Sequence, residues 1–268
     1  MPDKLNFLFL GDIIGRPGRA ALKKYLPSLV QKHKPSLVVA NAENASGGVG
    51  ITEETSRELL DHVDVLTSGN HIWDKKEVLS YLNRQPRLLR PANYPPGNPG
   101  KGAYVFDDGQ GRKVAILNLQ GRVFMEPIDC PFRTADEEIS RLRTLTPLIV
   151  VDFHAEATSE KQALGWYLDG RVSAVIGTHT HVLTADERIL PHGTAYITDV
   201  GMVGGYHSVI GIRPDQALER FLTARPQRFE PGKEGIFISY VSVEVEVQTG
   251  KAISIQRGLI KEEKIEEQ

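Results

Sequence analysis

The stretch LNFLFLGD, residues 5–12, decides how this chain is read. Leu5, Phe7, Leu8, Phe9 and Leu10 form an apolar run of strand length that contains Asn6 and stops at a Gly-Asp turn. Such a run is a buried first strand and not a signal peptide. Working outward, residues 19–33 set Leu22, Tyr25, Leu26, Leu29 and Val30 at helical spacing, with Pro27 expected to kink or restart the helix. Residues 36–40 are a second buried strand. Thr52 caps a helix reaching residue 60, with Glu53 and Glu54 in its first turn. A third strand at 63–67 and a third helix at 73–82 follow. The order is βαβαβ.

The remainder is less regular. Residues 86–102 are rich in Pro and Gly and read as loop, and strands follow at 103–106 and 113–119. Residues 120–133 have no period; a loop of that length is functional or ordered by a neighbour. Thr134 and Glu137 form a capping box for a helix to residue 143, and Ser159 with Gln162 caps another to residue 168. Strands are expected at 148–153, 172–177, 185–190 and 194–198, and a helix at 214–222. Residues 241–247 alternate Val with Ser242, Glu244 and Glu246, a strand with one dry and one wet face. It pairs with 252–259 through a Thr249-Gly250 turn, and the charged stretch 261–268 is expected to fray. No linker divides the chain. One α/β domain over residues 1–268 is expected: two mixed sheets packed face to face with helices outside.

Composition narrows the function. The 268 residues carry a formal net charge of −2, with 40% apolar and 25% charged residues. This is a globular composition without the basic excess of a generic polyanion binder, so no long nucleic acid is expected as partner. No apolar run reaches a membrane span. The single cysteine, Cys130, excludes an intrachain disulfide and fits a reducing compartment, the cytoplasm.

Polar residues follow strand after strand. The first leads to Asp12, the second to Glu43 and Asn44 within NAEN (41–44), the third to Asn70 and His71 within GNH (69–71). A later strand ends at His154, and the next at His179 and His181 within GTHTH (177–181). In open α/β sheets, ligands sit at the carboxyl ends of strands, so five distant segments can deliver side chains to one crevice. Carboxylates, amide oxygens and imidazoles are ligands for borderline divalent metals. His179 and His181 lie two apart, which in an extended segment points both to one side. Asp12, Glu43, Asn44, Asn70, His154, His179 and His181 are too many for one ion and suit two that share a bridge, with Glu43 the best-centred carboxylate. Two divalent ions, these two carboxylates and a bridging hydroxide leave the site at about +1, which attracts a phosphate ester. His71 adjoins Asn70 and is placed to donate a proton to a leaving oxygen.

This series resembles the calcineurin-like metallophosphoesterases, whose motifs run Asp-x-His, Gly-Asp, Gly-Asn-His-(Glu/Asp), His and Gly-His-x-His. Two departures stand out: Ile14 replaces the first histidine, and Glu43-Asn44 replaces the usual bridging Asp. Both departures resemble the YmdB-type bacterial phosphodiesterases, as do GDIIGRPG (11–18), DFHAEATSE (152–160) and TDVGM (198–202). The resemblance implies a four-layer αββα sandwich and a di-metal centre with iron or manganese, zinc being the other ion the ligands allow. It implies hydrolysis of small phosphodiesters, notably 2′,3′-cyclic nucleotides, and a homo-oligomer. It places Asp12, Glu43, Asn44 and His181 around one ion, and Glu43, Asn70, His154 and His179 around the other, with His71 as general acid.

The expected mechanism is in-line attack on phosphorus by the metal-bridging hydroxide. The alternatives are a phosphomonoesterase using the same ions, and a metal-bound signalling or RNA-associated scaffold without turnover. Arg16 and the GGVG loop (47–50), Gly48 in particular, are expected to contact phosphate, the alternative being tight-turn geometry. His207 is weighed as a substrate contact against a surface imidazole. Glu156 and Glu160 orient neighbouring groups or cap a helix, and Cys130 lacks a base partner and reads as structural.

Overall fold

The computed structural model describes residues 3–262. The chain runs β1 (Lys4–Leu10), β2 (Asp12–Ile13), α1 (Gly15–His33), β3 (Leu37–Asn41), α2 (Glu53–Leu60), β4 (Val65–Thr67), a 3₁₀ turn (Asn70–Trp73) and α3 (Val78–Leu82). It continues β5 (Ala103–Asp107), β6 (Lys113–Gln120), α4 (Pro131–Leu142), β7 (Ile149–His154), α5 (Thr158–Tyr167) and β8 (Ala174–Thr178). It closes with β9 (Arg188–Ile189), β10 (Ala195–Ile197), β11 (Met202–Gly205), α6 (Pro214–Thr223), β12 (Ile236–Glu246) and β13 (Ala252–Lys261).

Side-chain parity makes the layers. On β1, Leu8 and Leu10 face the helical core built with Leu22, Leu26 and Leu29 of α1, while Phe7 and Phe9 face the second sheet. On β7, Val150 points between the sheets and Ile149, Val151 and Phe153 point to a third core with α4 and α5. Three apolar cores between successive layers make a four-layer αββα sandwich. The first sheet has seven strands, ordered β2-β11-β12-β1-β3-β4 with β13 also on β12, and the second has six, ordered β5-β6-β7-β8-β10-β9. β1, β3 and β4 run parallel, as do β6, β7, β8 and β10. Their carboxyl ends meet at one rim.

Gly11 creates a fork at that rim. β1 pairs with β12 as far as Leu10, beyond which β11 takes over the same edge and β2 pairs with β11. A Cβ on Gly11 would lie 2.3 Å from the Gly201 carbonyl oxygen, so only glycine lets the two strands part here. Asp12 sits in the split.

Several expected boundaries move for physical reasons. Helix α1 starts at Gly15, and Pro27 lies inside one continuous helix. The expected helix at 73–82 is a 3₁₀ turn and a separate short α3. The capping boxes at Thr134 and Ser159 do not form: α4 begins at Pro131 and α5 at Thr158, both without a side-chain cap. Proline at the first helical position supplies the required φ for α4. The Thr52 cap is present, closed by Thr55. On β12 the expected wet face holds at the half-buried Glu244 and Glu246 but not at Ser242, which is buried and donates to Asn6 Oδ1 (3.0 Å); Ser239, earlier in the strand, is also buried and donates to the Met202 carbonyl (2.7 Å). β12 is an interior strand of its sheet. Of the stretch expected to fray, Lys261 ends β13 and Glu262 pairs with Lys24 at 2.6 Å, and the rest lies outside the described residues. Among the described residues, no helix is long and apolar enough to cross a membrane.

Gly165 tests how closely α5 lies on its sheet. A Cβ there would stand 2.5 Å from the Tyr196 ring. Helix propensity alone would make Gly165→Ala stabilising by about 1 kcal/mol. Overpacking reverses the sign, and urea unfolding is expected to show a loss of about 1–3 kcal/mol.

Candidate functional site

The rim brings together side chains from both sheets. Glu43, in the turn after β3, and His154, the last residue of β7, are buried and meet at 3.1 Å (Oε1 to Nε2). His179 Nδ1 stands 2.9 Å from the same His154 Nε2. Ligand atoms of Glu43, His154 and His179 all lie within 4.8 Å of one another. Glu43 Oε1 also accepts from Asn44 Nδ2 (3.3 Å), and Oε2 accepts from the His71 N–H (3.0 Å). On the other flank, His181 Nε2 lies 3.4 Å from Asn44 Nδ2 and 4.0 Å from Asp12 Oδ1. Gly69 packs so tightly on His154 that a Cβ would lie 2.0 Å from its ring.

Each imidazole of this group has its outer nitrogen engaged. His154 Nδ1 meets Thr178 Oγ1 at 3.0 Å, and that hydroxyl donates to Asp152 at 2.7 Å. His179 Nε2 meets Glu156 Oε2 at 3.1 Å. His181 Nδ1 donates to the Ile210 carbonyl at 2.8 Å. The nitrogens left facing inward are Nε2, Nδ1 and Nε2. Holding the outer nitrogen selects the tautomer whose inner lone pair is free to bind a cation.

Charge follows the same plan. Burial alone would raise the Glu43 carboxyl, but the charge and hydrogen bond of His154 outweigh it and hold it at about 2. Burial lowers His154, and the neighbouring Glu43 carboxylate overcomes this and raises the ring to about 9. Burial and then the His154 charge drive His179 down to about 3, and burial also lowers His181. Burial pushes the Asp12 carboxyl well above its usual range against the pull of His154. Asp12 Oδ1 and Asn70 Oδ1 are buried without a hydrogen-bond partner. An unmet buried acceptor costs about 1–3 kcal/mol, which a bound cation would remove. The residues therefore fit a divalent metal.

The surrounding cavity measures about 390 Å³. Its walls include Ile14, Val49, Ile210, Phe229 and Pro231 alongside His71, His179 and His181. That suits a small polar head carrying a flat apolar body.

Comparison with known proteins agrees with this geometry. A family model described as YmdB-like protein matches residues 8–258. This chain belongs to the YmdB-like family. The 2′,3′-cyclic-nucleotide 2′-phosphodiesterase of Bacillus subtilis (strain 168) is 49% identical over 260 residues, covering 97% of this chain and 98% of that protein. A crystal structure of a novel phosphatase from Mycoplasma pneumoniae superposes with a TM-score of 0.92 at 39% identity, covering 98% of this chain and 95% of that one. A hypothetical protein from Thermus thermophilus superposes with a TM-score of 0.90 at 42% identity, covering 97% of this chain and 100% of that one.

In this YmdB-like chain the seven expected ligand residues lie at one rim, but not all by the expected geometry. His179 and His181 do not share the side of an extended strand. β8 ends at Thr178, and both histidines have positive φ (101° and 65°), so the backbone turns between them and each faces a different flank. Gly48 lines the cavity. Arg16 does not: it is exposed on the first turn of α1 and lines an adjoining hollow with Gly47 and Lys233. His207 also lies off the cavity, packed edge-on against Tyr206. Glu160 caps nothing; its carboxylate accepts from the Arg122 and Val123 N–H groups (3.0 and 3.1 Å) and orders the loop after β6.

Three contributors were silent in the sequence. Asp74 Oδ2 takes the Nδ1 hydrogen of His71 at 2.7 Å. Lys161 is buried on α5 and donates to Asp199 (2.6 Å) and to the Thr178 carbonyl (2.7 Å). Asp199 in turn accepts from the Thr180 N–H (3.0 Å), so this pair shapes the turn that carries both histidines. The only available signal for the Asp199 role was its place in TDVGM.

The elevated His154 ring has a measurable consequence. A metal needs its Nε2 lone pair, so loading must expel the proton held below about 9. Adding divalent metal to chelator-stripped protein near pH 7 is expected to release about one proton from this ring. That share should vanish as pH rises through about 9. Calorimetry in buffers of different ionisation enthalpy measures it, and loading without proton release at neutral pH would contradict the assigned pair.

Proposed function

We propose that this chain is a metal-dependent phosphodiesterase that opens 2′,3′-cyclic nucleotides. It is a hydrolase of phosphate esters, as its named relatives are. The observation that carries the narrower reading is the rim cluster of Glu43, His154 and His179, with the unmet Asp12 and Asn70 oxygens beside it. The substrate class follows the Bacillus subtilis relative, and the apolar cavity wall suits a nucleobase.

Two ions are the reading we favour. Asn70, His154 and His179 would hold one, Asp12, Asn44 and His181 the other, and Glu43 both. For Asn44 to serve, its amide turns over so that Oδ1 and not Nδ2 faces His181. The mixed oxygen and imidazole set suits iron or manganese, with zinc also allowed. Bound ions supply Lewis-acid stabilisation of the phosphoryl oxygens and an ionised water at neutral pH.

The chain's own groups do the rest. The cavity wall orients the base, and the buried rim excludes bulk water. A water oxygen becomes bonded to phosphorus and the P–O2′ bond breaks, leaving a 3′-monophosphate. His71 donates the proton that the departing O2′ needs. Asp74 holds His71 Nδ1, which leaves Nε2 as the free ring nitrogen for that transfer. A cytoplasmic setting is supported by the lone Cys130, and a homo-oligomer by the exposed Leu218, Phe221 and Leu222 of α6.

His71→Ala is expected to keep its metal and lose turnover of a 2′,3′-cyclic nucleotide by about a hundred- to a thousandfold. The loss should shrink on a diester with an acidic leaving group such as bis(p-nitrophenyl) phosphate. An equal loss on both substrates would remove His71 as proton donor. Glu43→Gln should lower both metal content by elemental analysis and rate, and unchanged values for both would rule out its bridging role.

A further inference from the structure

We infer that Glu156 is the charge filter that makes this site prefer phosphodiesters over phosphomonoesters. The inference rests on the phosphodiesterase reading above. Apart from Glu43, two carboxylates line the cavity, Glu156 and Glu230, and among the described residues no lysine or arginine does. Arg213 approaches Glu230 at 3.3 Å and offsets its charge. Among the described residues Glu156 has no such cation: its charged-group contact is His179 Nε2 at 3.1 Å. Its side chain is 49% exposed, so it stands at the mouth and not in the floor.

The two ester classes differ in charge. A phosphodiester carries one negative charge at neutral pH, and a phosphomonoester nearly two. Bound cations alone would favour the more highly charged monoester. A fixed carboxylate on the wall opposes that preference. One extra unit charge about 7 Å away, at an effective dielectric of about 40, changes binding by roughly five- to tenfold. The same carboxylate meets the product, since opening a cyclic diester turns a singly charged substrate into a nearly doubly charged monoester. Glu156 thus weakens the binding of product more than that of substrate, with one charge.

Glu156 also touches His179, so its charge must be separated from its hydrogen bond. Glu156→Gln removes the charge and keeps an acceptor for His179 Nε2–H. Glu156→Asp keeps the charge. The measurements are metal content, kcat/KM on a 2′,3′-cyclic nucleotide and on p-nitrophenyl phosphate, and calorimetric binding of a nucleoside 3′-monophosphate to the metal-loaded protein. With metal retained, Glu156→Gln is expected to bind the nearly doubly charged 3′-monophosphate about 25- to 100-fold more tightly, and to lower the diester-to-monoester ratio by about five- to tenfold. Glu156→Asp should keep the unaltered protein's ratio. Unchanged monophosphate binding by metal-loaded Glu156→Gln overturns the filter. If that variant loses metal, the unaltered protein still decides: it must bind the singly charged methyl ester of the 3′-monophosphate more tightly than the 3′-monophosphate itself. Equal or weaker binding of the methyl ester overturns the inference. Failure of the unaltered protein to open any cyclic nucleotide would instead sink the underlying phosphodiesterase reading.

Discussion

Asn118 on β6 makes two hydrogen bonds of 2.9 Å to Ser68 beyond the end of β4, one from each end of its amide. Asn41, at the end of β3, donates to Asp152 of β7 at 3.2 Å. These buried contacts clip the first sheet to the second at their carboxyl ends. Apolar packing between the sheets sets no register by itself, because it is non-directional. Buried amides and carboxylates do, because any other offset would leave them unpaired in a low-dielectric interior. With this register, His154 arrives against Gly69 and within reach of Glu43, and the rest of the rim is built around that meeting.

The site gathers donors that suit a cation. A carboxylate, three inward ring nitrogens and two unpartnered oxygens occupy one rim. Two histidines sit at positive φ beside them. Such backbone costs about 1–3 kcal/mol per residue and persists only where the surroundings enforce it. The Lys161–Asp199 pair supplies that enforcement from behind, through Thr178 and Thr180. The fold thus spends stability to keep several electron-pair donors converging. The outer carboxylates Asp74 and Glu156 act on separate imidazoles, His71 and His179.

Legibility along the chain followed the range of the forces. Repeating apolar positions in β1, β3, α1 and β7 declared those elements, since each periodicity is local to its own segment. The Thr52 cap was readable for the same reason. The caps at Thr134 and Ser159 do not form: α4 starts at Pro131, whose fixed φ suits the first helical position, and α5 starts at Thr158. The wet face expected on β12 holds at Glu244 and Glu246 and fails at Ser242, because burial there depends on residues distant in sequence. For Arg16 a phosphate contact was weighed against turn geometry, and for His207 a substrate contact against a surface imidazole; both residues are exposed and lie outside the cavity.

The residue types alone determined the chemistry class. Asp12, Glu43, Asn44, Asn70, His154, His179 and His181 each follow an apolar strand-like run, and a parallel sheet delivers strand ends to one edge whatever the loops do. Tertiary structure alone decided which nitrogen of each imidazole turns inward and that His179 and His181 address different flanks. It alone supplied Asp74 and Lys161, and it alone gave Glu156 and Asp199 the partners they hold. Those choices rest on hydrogen bonds between residues tens of positions apart in most cases, and such bonds carry no periodic signature along a single chain.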